Sequence, residues 1–329
     1  MKVIDVHTHL MSEEWIGFMR MHGGDRFEVR EIGGRRVIYA GGEDFVPLFP
    51  SMFDLRVRLE KMDESGTDVA FLSLTAPGVL WGDEDVSRRS SAIANDHLAS
   101  VQDGRPERFR WLASLPMHHP ALAVQELRRC HVNGASGVIM FANVEGRPLT
   151  DPSFATVWGE IERLDLPVLL HPTLPPGAKD AHMHDYHLIA VVGFMFDSTV
   201  ALARMILDGF FDRYPKLKLI VPHSGGTLPF IAHRLDHAHA TIPECRKSIE
   251  RAPSSYFANV YFDDANSTSE SVGMCANLAG EARILHGSDY PFLQFSNSMK
   301  WMDGLSPEKR GAFLGGNAAQ VFRARLDAS

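Results

Sequence analysis

Eight short runs of apolar residues recur along the chain. Most of these runs are continuously apolar rather than alternating, which is typical of strands buried on both faces of a parallel sheet. Segments of helical length separate them, and this order predicts an α/β fold, a (β/α)₈ TIM barrel. The predicted strands are 3–8, 69–74, 110–115, 137–142, 167–171, 217–223, 259–263 and 284–287.

The segments between the strands predict the helices of the barrel. No repeat, low-complexity tract or linker rich in proline and glycine divides the chain. We therefore expect residues 1–329 to form a single domain, which is an ordinary length for this fold. The predicted helices are 54–65, 88–102, 120–133, 153–164, 196–212, 227–240, 268–279 and 307–325.

The segment 11–53 is an insertion after the first strand, because it is too long for a simple loop. Within it, Glu28 to Tyr39 predicts a β-hairpin that turns at Gly33-Gly34. A hairpin at this point of a barrel would project over its mouth. We expect the insertion to act as a lid or as a dimer contact.

Composition narrows the class of partner. The chain has 33 basic and 41 acidic residues and a net charge of −8, which argues against a nucleic-acid partner. Its three cysteines are widely spaced and form no CxxC pair, which favours reduced thiols and a cytoplasmic location. No apolar run approaches the roughly 18 residues of a membrane span, so no membrane partner is expected.

Several of the predicted strands end in a residue that can bind a metal ion. His7 and His9 are two residues apart on the first strand and therefore share one face. His171, His223 and Asp289 lie at the ends of the fifth, sixth and eighth strands. A buried histidine is more often a core residue than a ligand, but parallel strands of a barrel bring all these ends to one rim. The pattern predicts a mononuclear centre with histidine and aspartate ligands.

The chain resembles the amidohydrolase superfamily, and within it the branch of aminocarboxymuconate-semialdehyde, γ-resorcylate and 6-methylsalicylate decarboxylases. The resemblance covers nearly the whole chain. It implies that His7, His9, His171 and Asp289 bind one divalent ion, and that His223 and Asp289 act in catalysis. It rests on the phrases Asp5-Val-His-Thr-His9, His171-Pro-Thr, Tyr214-Pro-Lys-Leu-Lys218, His223-Ser-Gly-Gly226 and Gly287-Ser-Asp-Tyr-Pro291.

The same residues can serve two reactions. The first interpretation is a metal-dependent, non-oxidative decarboxylase of a small aromatic, salicylate-like or enolic carboxylic acid. The alternative is a hydrolase that cuts a C–N, C–O or C–C bond in a related aromatic or cyclic compound. The ligand set suits Zn²⁺, our first expectation, and also Mn²⁺.

The resemblance also implies a role for Arg234, because the matching arginine of the muconate enzyme reaches the substrate carboxylate across a dimer interface. We therefore expect a homodimer or higher homo-oligomer, although Arg234 could equally form a structural ion pair. Two other substrate-binding positions of that enzyme, an arginine and a tryptophan, fall at Val46 and Ala190 here. The muconate substrate itself is therefore not expected.

Three further residues are candidates for contact with the substrate. Phe194 and Phe196 could form walls of an aromatic pocket, with core packing as the alternative for at least one of them. Asn143 follows the fourth strand and could bind substrate or cap its own loop. The loop 172–195 also carries His182, His184 and His187, which we interpret mainly as surface residues.

Overall fold

The structure is a computed structural model that describes residues 2–40, 43–295, 299–322 and 326. Its strands in chain order are β1 (Ile4–His9), β2 (Phe27–Ile32), β3 (Arg35–Ala40), β4 (Glu43–Leu48), β5 (Val69–Ser73), β6 (Phe109–Ser114), β7 (Gly137–Phe141), β8 (Asn143–Val144), β9 (Arg147–Pro148), β10 (Val168–His171), β11 (Leu219–Val221), β12 (Val260–Asp263) and β13 (Ile284–Leu285).

Eight of these strands form the predicted barrel. They pair in parallel in the order β1-β5-β6-β7-β10-β11-β12-β13. The last segment returns to the first strand, because the amide of Val6 donates to the carbonyl of His286 and the amide of His9 donates to that of Tyr290. The (β/α)₈ fold is therefore confirmed.

The helices lie between the strands, close to their predicted positions. They are α1 (Glu13–His22), α2 (Leu55–Ser65), α3 (Glu84–Gly104), α4 (Pro120–Val132), α5 (Ala155–Arg163), α6 (Phe194–Leu207), α7 (Phe210–Arg213), α8 (Pro222–Gly225), α9 (Leu228–Thr241) and α10 (Ser269–Ala279). Near the C-terminus the predicted helix 307–325 is one helical run of Pro307–Gly311, a wider π-helical segment Ala312–Gly316 and Asn317–Val321, and residues 323–325 lie outside the described residues.

Inside the barrel, each of seven strands contributes apolar side chains to one cluster. Residues at the C-terminal helix close one end of this cluster. The ring of Phe322 lies 4.2 Å from that of Phe71. A larger cluster fills the space between strands and helices. The interior strand residues are Ile4, Val6, Val69, Phe71, Leu112, Ile139, Leu169, Ile220 and Leu285.

An irregularity in β1 determines where its histidines point. The step from Ile4 to Thr8 on β1 faces the shorter step from Val69 to Leu72 on β5, so β1 contains one extra residue. Such a β-bulge reverses the alternation of side chains beyond it. Before the bulge, Ile4 faces the apolar interior of the barrel. Because the alternation is reversed, His7 and His9 also face inward, at the rim.

The insertion 11–53 forms α1 and a small antiparallel sheet of β2, β3 and β4. The predicted hairpin is confirmed, since Ile32 pairs with Arg35 on either side of Gly33-Gly34. The sequence did not indicate α1 or the third strand. Ile38, Val46 and Leu48 of this sheet belong to the large core cluster, so the insertion packs against the barrel.

One helical run, Asp185–Leu207, is long and apolar enough to cross a membrane by length and composition alone. The run contains Asp185, Asp197 and Arg204, so it is not a continuous apolar stretch. Half of its apolar window is buried inside the protein, as is typical of a core helix in a globular fold.

Candidate metal centre

Four side chains converge where β1, β10 and the segment after β13 end. The candidate ligand atoms of His7, His9, His171 and Asp289 all lie within 4.8 Å of one another. The Nε2 atoms of His7 and His9 are 3.1 Å apart, and Oδ1 of Asp289 lies 3.0 Å from Nε2 of His9. The rim thus brings together the whole predicted ligand set.

Each of the three imidazoles is held by a contact at Nδ1, which leaves Nε2 to face the ligand cluster. Nδ1 of His7 lies 2.8 Å from Oδ2 of Asp263, and Nδ1 of His9 lies 3.1 Å from Oγ of Ser73. Nδ1 of His171 donates to the carbonyl of Pro172 at 2.7 Å, while its Nε2 is buried without a partner among the described residues. Ligand histidines in proteins are oriented in this way. The unpartnered Nε2 and the convergent donors fit a divalent ion.

The electrostatics of the cluster also favour a cation. Burial opposes protonation of His7, but the carboxylates of Asp263 and Asp289 outweigh it and raise its pKa to about 9. Burial lowers the pKa of His9 to about 4 and that of His171 well below its usual value. For Asp289, burial is outweighed by neighbouring imidazoles, His7 first, which hold its pKa well below the ordinary range.

His223 lies beside this cluster but outside the strand predicted for it. β11 ends at Val221, and His223 and Ser224 have left-handed backbones with φ of 55° and 51°. Its Nε2 lies 3.4 Å from Oδ2 of Asp289, and its Nδ1 has no partner among the described residues. This leaves one ring nitrogen of His223 available at the edge of the ligand cluster, as an acid or base requires.

Asp263 was not singled out in the sequence, yet it supports both parts of the site. Its Oδ2 faces Nδ1 of His7, and its Oδ1 accepts from the amide of His223 at 2.8 Å. A side chain at Gly287 would come within 2.9 Å of both Oδ2 of Asp263 and Cβ of His7, so glycine leaves room for this contact. Asp263 ends the predicted strand 259–263, and that signal could have identified it.

Aromatic rings surround the ligands. The ring of Phe194 lies 6.5 Å from His171, and that of Phe292 lies 5.7 Å from His9. Phe196 is two residues further along α6 and therefore points away from Phe194. It is 47% exposed, so the geometry does not support a pocket role for Phe196 within one subunit.

Asn143 has its polar atoms occupied by the protein. Its Nδ2 donates to both carboxylate oxygens of Asp197 at 3.0 and 3.2 Å, and its Oδ1 accepts from the amide of Gly146. Asp197 also accepts from the amide of Thr173. These bonds favour the loop-capping alternative, and a contact with substrate stays a prediction.

Arg234 is exposed on α9, eleven residues after His223. On the same helix Phe230 is 76% exposed, one turn before it. An exposed position is compatible with the expected action across a dimer interface, which stays a prediction.

Known proteins resemble this chain over most of its length. The sequence model of the amidohydrolase family matches residues 4–324. The chain is 30% identical over 332 residues to 2-amino-3-carboxymuconate-6-semialdehyde decarboxylase of Dictyostelium discoideum, with 97% of this chain and 91% of the relative covered. It is 31% identical over 293 residues to gamma-resorcylate decarboxylase of Rhodococcus jostii (strain RHA1), with coverage of 81% and 87%.

A solved structure extends the likeness to the fold. The 5-carboxyvanillate decarboxylase of Novosphingobium aromaticivorans DSM 12444 superposes with a TM-score of 0.83 and 26% identity, covering 98% of this chain and 96% of that one. That structure contains manganese and 4-hydroxy-3-methoxy-5-nitrobenzoic acid. Sequence, fold and the convergent histidines agree, and the chain belongs to the amidohydrolase family.

Proposed function

We propose that this chain is a metal-dependent, non-oxidative decarboxylase of a small aromatic, salicylate-like carboxylic acid. The observation that carries the proposal is the imidazole of His223, 3.4 Å from Asp289, beside the four convergent ligand atoms. The three similar proteins described above support it, because each is named as a decarboxylase.

We propose that His7, His9, His171 and Asp289 bind one divalent ion, Zn²⁺ or Mn²⁺. Imidazole-rich sites suit zinc, and a similar enzyme was solved with manganese. When bound, the ion would orient the oxygens of the substrate's carboxylate and neighbouring hydroxyl and offset their negative charge.

The residues of the chain would then move one proton. The bond between the ring carbon and the carboxyl carbon breaks, carbon dioxide leaves, and the electron pair stays on the ring carbon. His223, whose Nε2 lies 3.4 Å from Oδ2 of Asp289, donates a proton to that carbon. The rings of Phe194 and Phe292 would limit access of water to the reacting carbon.

We also propose that the chain forms a homodimer or higher homo-oligomer. Val192, Phe196 and Val200 recur every four residues along one face of the helical run and are 40–48% exposed. α9 packs against this run and carries Phe230, which is 76% exposed. We call these four residues the α6–α9 patch, and Arg234 lies one turn from Phe230. A second subunit on this patch would cover its apolar side chains.

A cytoplasmic location is a further proposal. It is supported by the free cysteines Cys130, Cys245 and Cys275, of which the first and last are buried. Fractionation of the native host would test it, and recovery of the protein from an oxidising compartment would contradict it.

The test of the proposed function distinguishes loss of the bound metal from loss of the proton donor His223. Protein loaded with Zn²⁺ or Mn²⁺ is incubated with salicylate, 6-methylsalicylate and 2,6-dihydroxybenzoate, and carbon dioxide is measured. His171→Ala should lose metal and activity together. His223→Asn should keep the metal but lose roughly 10²-fold in rate, the usual scale of acid–base assistance. If no acid loses carbon dioxide while aryl amides or lactones are hydrolysed, the hydrolase alternative replaces this proposal.

A further inference from the structure

A fully buried arginine lies beside the ligand-bearing end of β1. Arg58, on α2, is 0% exposed, although arginine is rarely buried completely unless it is paired. Its Nη2 donates to the backbone carbonyl of His9, and its guanidinium carbon lies 4.9 Å from the centre of the Tyr290 ring. Its Nε and Nη1 have no hydrogen-bond partner among the described residues. The contacts of this buried cation therefore lead to the ends of two barrel segments.

These two segments carry ligands of the metal centre. His9 is itself a ligand, and Tyr290 directly follows the ligand Asp289. Their backbones are also joined, because the amide of His9 donates to the carbonyl of Tyr290 and the amide of Asp289 donates to that of His7, both at 2.8 Å. Oδ1 of Asp289 then lies 3.0 Å from Nε2 of His9. A shift of either segment would change this distance between ligands.

A buried carboxylate links the same two segments. Oδ1 of Asp5 accepts from the amides of His7 and Ser288 at 3.0 and 3.1 Å, and its Oδ2 has no partner among the described residues. Burial lowers the pKa of Arg58 to about 10, and the neighbouring Tyr290 and Asp5 oppose this shift. The guanidinium therefore stays charged at neutral pH, close to the links that Asp5 makes.

A planar guanidinium suits these contacts better than other side chains of similar size. Its N–H edge can donate to a carbonyl while its face lies against an aromatic ring. Lysine offers a donor but no flat face, and methionine fills a similar volume with neither. For stability alone, an apolar side chain of similar volume often serves as well as a buried charge or better. The charge at this place therefore indicates a role other than packing.

We propose that Arg58 is a positioning residue of the metal centre, which fixes the spacing of the ligands His9 and Asp289 by holding the ends of their segments together. It acts through these two segments rather than on the substrate. The inference deepens the proposed function and rests on the metal binding proposed there. Without the guanidinium, the carbonyl of His9 loses a donor and the ring of Tyr290 loses a neighbour, so the two ligands are less well placed for an ion.

Binding of Co²⁺ tests this role, because the visible absorption of bound Co²⁺ reports the geometry of its ligands without turnover. Arg58→Met should lower the affinity for Co²⁺ by about 10- to 100-fold, the usual effect of losing an outer contact of a ligand, and should change the spectrum of the bound ion. Arg58→Lys, which keeps a donor for the carbonyl of His9, should recover most of the affinity. If Arg58→Met does not fold, Arg58→Gln takes its place with the same expected loss.

Arg110→Met is the matched control. Arg110 is also a buried arginine, 5% exposed, and its Nη1 donates to the carbonyls of Pro106 and Phe109 around the start of β6, at the end of the barrel away from the ligands. This variant should bind Co²⁺ with wild-type affinity and spectrum, even if urea unfolds it more easily. Wild-type binding of Co²⁺ by Arg58→Met would overturn the proposal, and so would equal losses in the two variants.

Metal binding and turnover are measured separately, so this inference and the proposed function can fail independently. If the wild type binds Co²⁺, Arg58→Met binds it more weakly and no acid loses carbon dioxide, the positioning role stands and the decarboxylase proposal fails. If acids lose carbon dioxide but Arg58→Met binds Co²⁺ as the wild type does, the positioning role is overturned and the proposed function stands. A wild type that binds no Co²⁺ overturns the positioning role.

Discussion

At the scale of single residues, Asp263 links the ligand cluster to the acid. It is 1% exposed, and its two oxygens hold the ring of His7 and the left-handed backbone of His223. An amide in its place has one acceptor oxygen, so it cannot satisfy both donors. The side chain that sets the ligand's orientation therefore also sets the acid's position.

We predict that Asp263→Asn lowers affinity for Zn²⁺ or Mn²⁺ by about 10- to 100-fold, as loss of an outer hydrogen bond to a ligand histidine commonly does. Equilibrium dialysis with each metal measures this. The control is Asp264→Asn, since Asp264 is equally buried but bonds His286, Gly287 and Trp301 rather than a ligand. Equal metal affinities in both variants would show that Asp263 has no special role.

A second buried carboxylate makes stability depend on pH. Burial raises the pKa of Asp197 to about 6, although bonds from Thr173 and Asn143 partly oppose the shift. The folded state therefore retains a proton that the unfolded chain releases near pH 4. Stability falls as the pH rises from about 4 to 6, by up to about 3 kcal/mol.

Asp197→Asn should remove this contribution. Urea unfolding is measured at several pH values from 4 to 7. As the pH rises, the free energy of unfolding of the variant should increase relative to that of the wild type, by up to about 3 kcal/mol. A constant offset from lost hydrogen bonds does not affect the comparison. A difference that is flat across this range would mean that Asp197 is ionised in the folded protein throughout.

Most ligand residues could be predicted because each ends an apolar run. His7, His9 and His171 lie at strand ends, which any parallel barrel collects at one rim. The contacts that orient them could not be predicted in the same way. Ser73 meets His9 from the neighbouring strand, and Asp263 meets His7 from 256 residues away, so only the folded chain defines these pairs.

At the scale of elements, backbone irregularities place the site. The bulge in β1 turns His7 inward, and the left-handed turn after β11 carries His223 out of the strand that was predicted for it. Asp289 is likewise left-handed, with φ of 60°, and its amide donates to the carbonyl of His7. Apolar periodicity indicates strands but carries no signal for such local departures, and so the strand 217–223 was predicted too long.

Substitutions in the insertion 11–53 can show how much an element outside the barrel contributes to the free energy of unfolding. Ile38 on β3 is fully buried in the large core cluster, whereas Ile32 on the adjacent strand is 52% exposed. We predict that Ile38→Ala lowers the free energy of unfolding by about 2–5 kcal/mol. Ile32→Ala should change it by no more than about 0.5 kcal/mol. Equal, small effects in urea unfolding would mean that the small sheet is peripheral to the core.

At the scale of the whole molecule, the barrel could be predicted because buried apolar runs and segments of helical length alternate along the chain after the insertion 11–53. Buried runs in a parallel sheet leave a strong signal, and seven of the eight barrel strands start within one residue of their predicted position. The π-helical segment within the helix 307–325 and the third strand of the insertion depend on tertiary packing. Sequence patterns report such packing only weakly.

The proposed dimer can be tested through the α6–α9 patch. Phe230→Ser removes its most exposed apolar side chain, and we predict a shift from dimer to monomer in light scattering at micromolar concentration. Val132→Ser is the control, because Val132 is 83% exposed on α4, outside both the patch and the insertion 11–53. A wild-type monomer would contradict the proposal, and so would two variants that remain equally dimeric.

The central claim is that the chain replaces a carboxyl group on a ring by a proton. The direct measurement is turnover of a salicylate-like acid in D₂O by the metal-loaded protein, with mass spectrometry and NMR of the product. The account predicts one carbon dioxide per turnover and one deuterium on the carbon that carried the carboxyl group, since the donated proton exchanges with solvent. A product that keeps its carboxyl group and gains ¹⁸O from labelled water would contradict it.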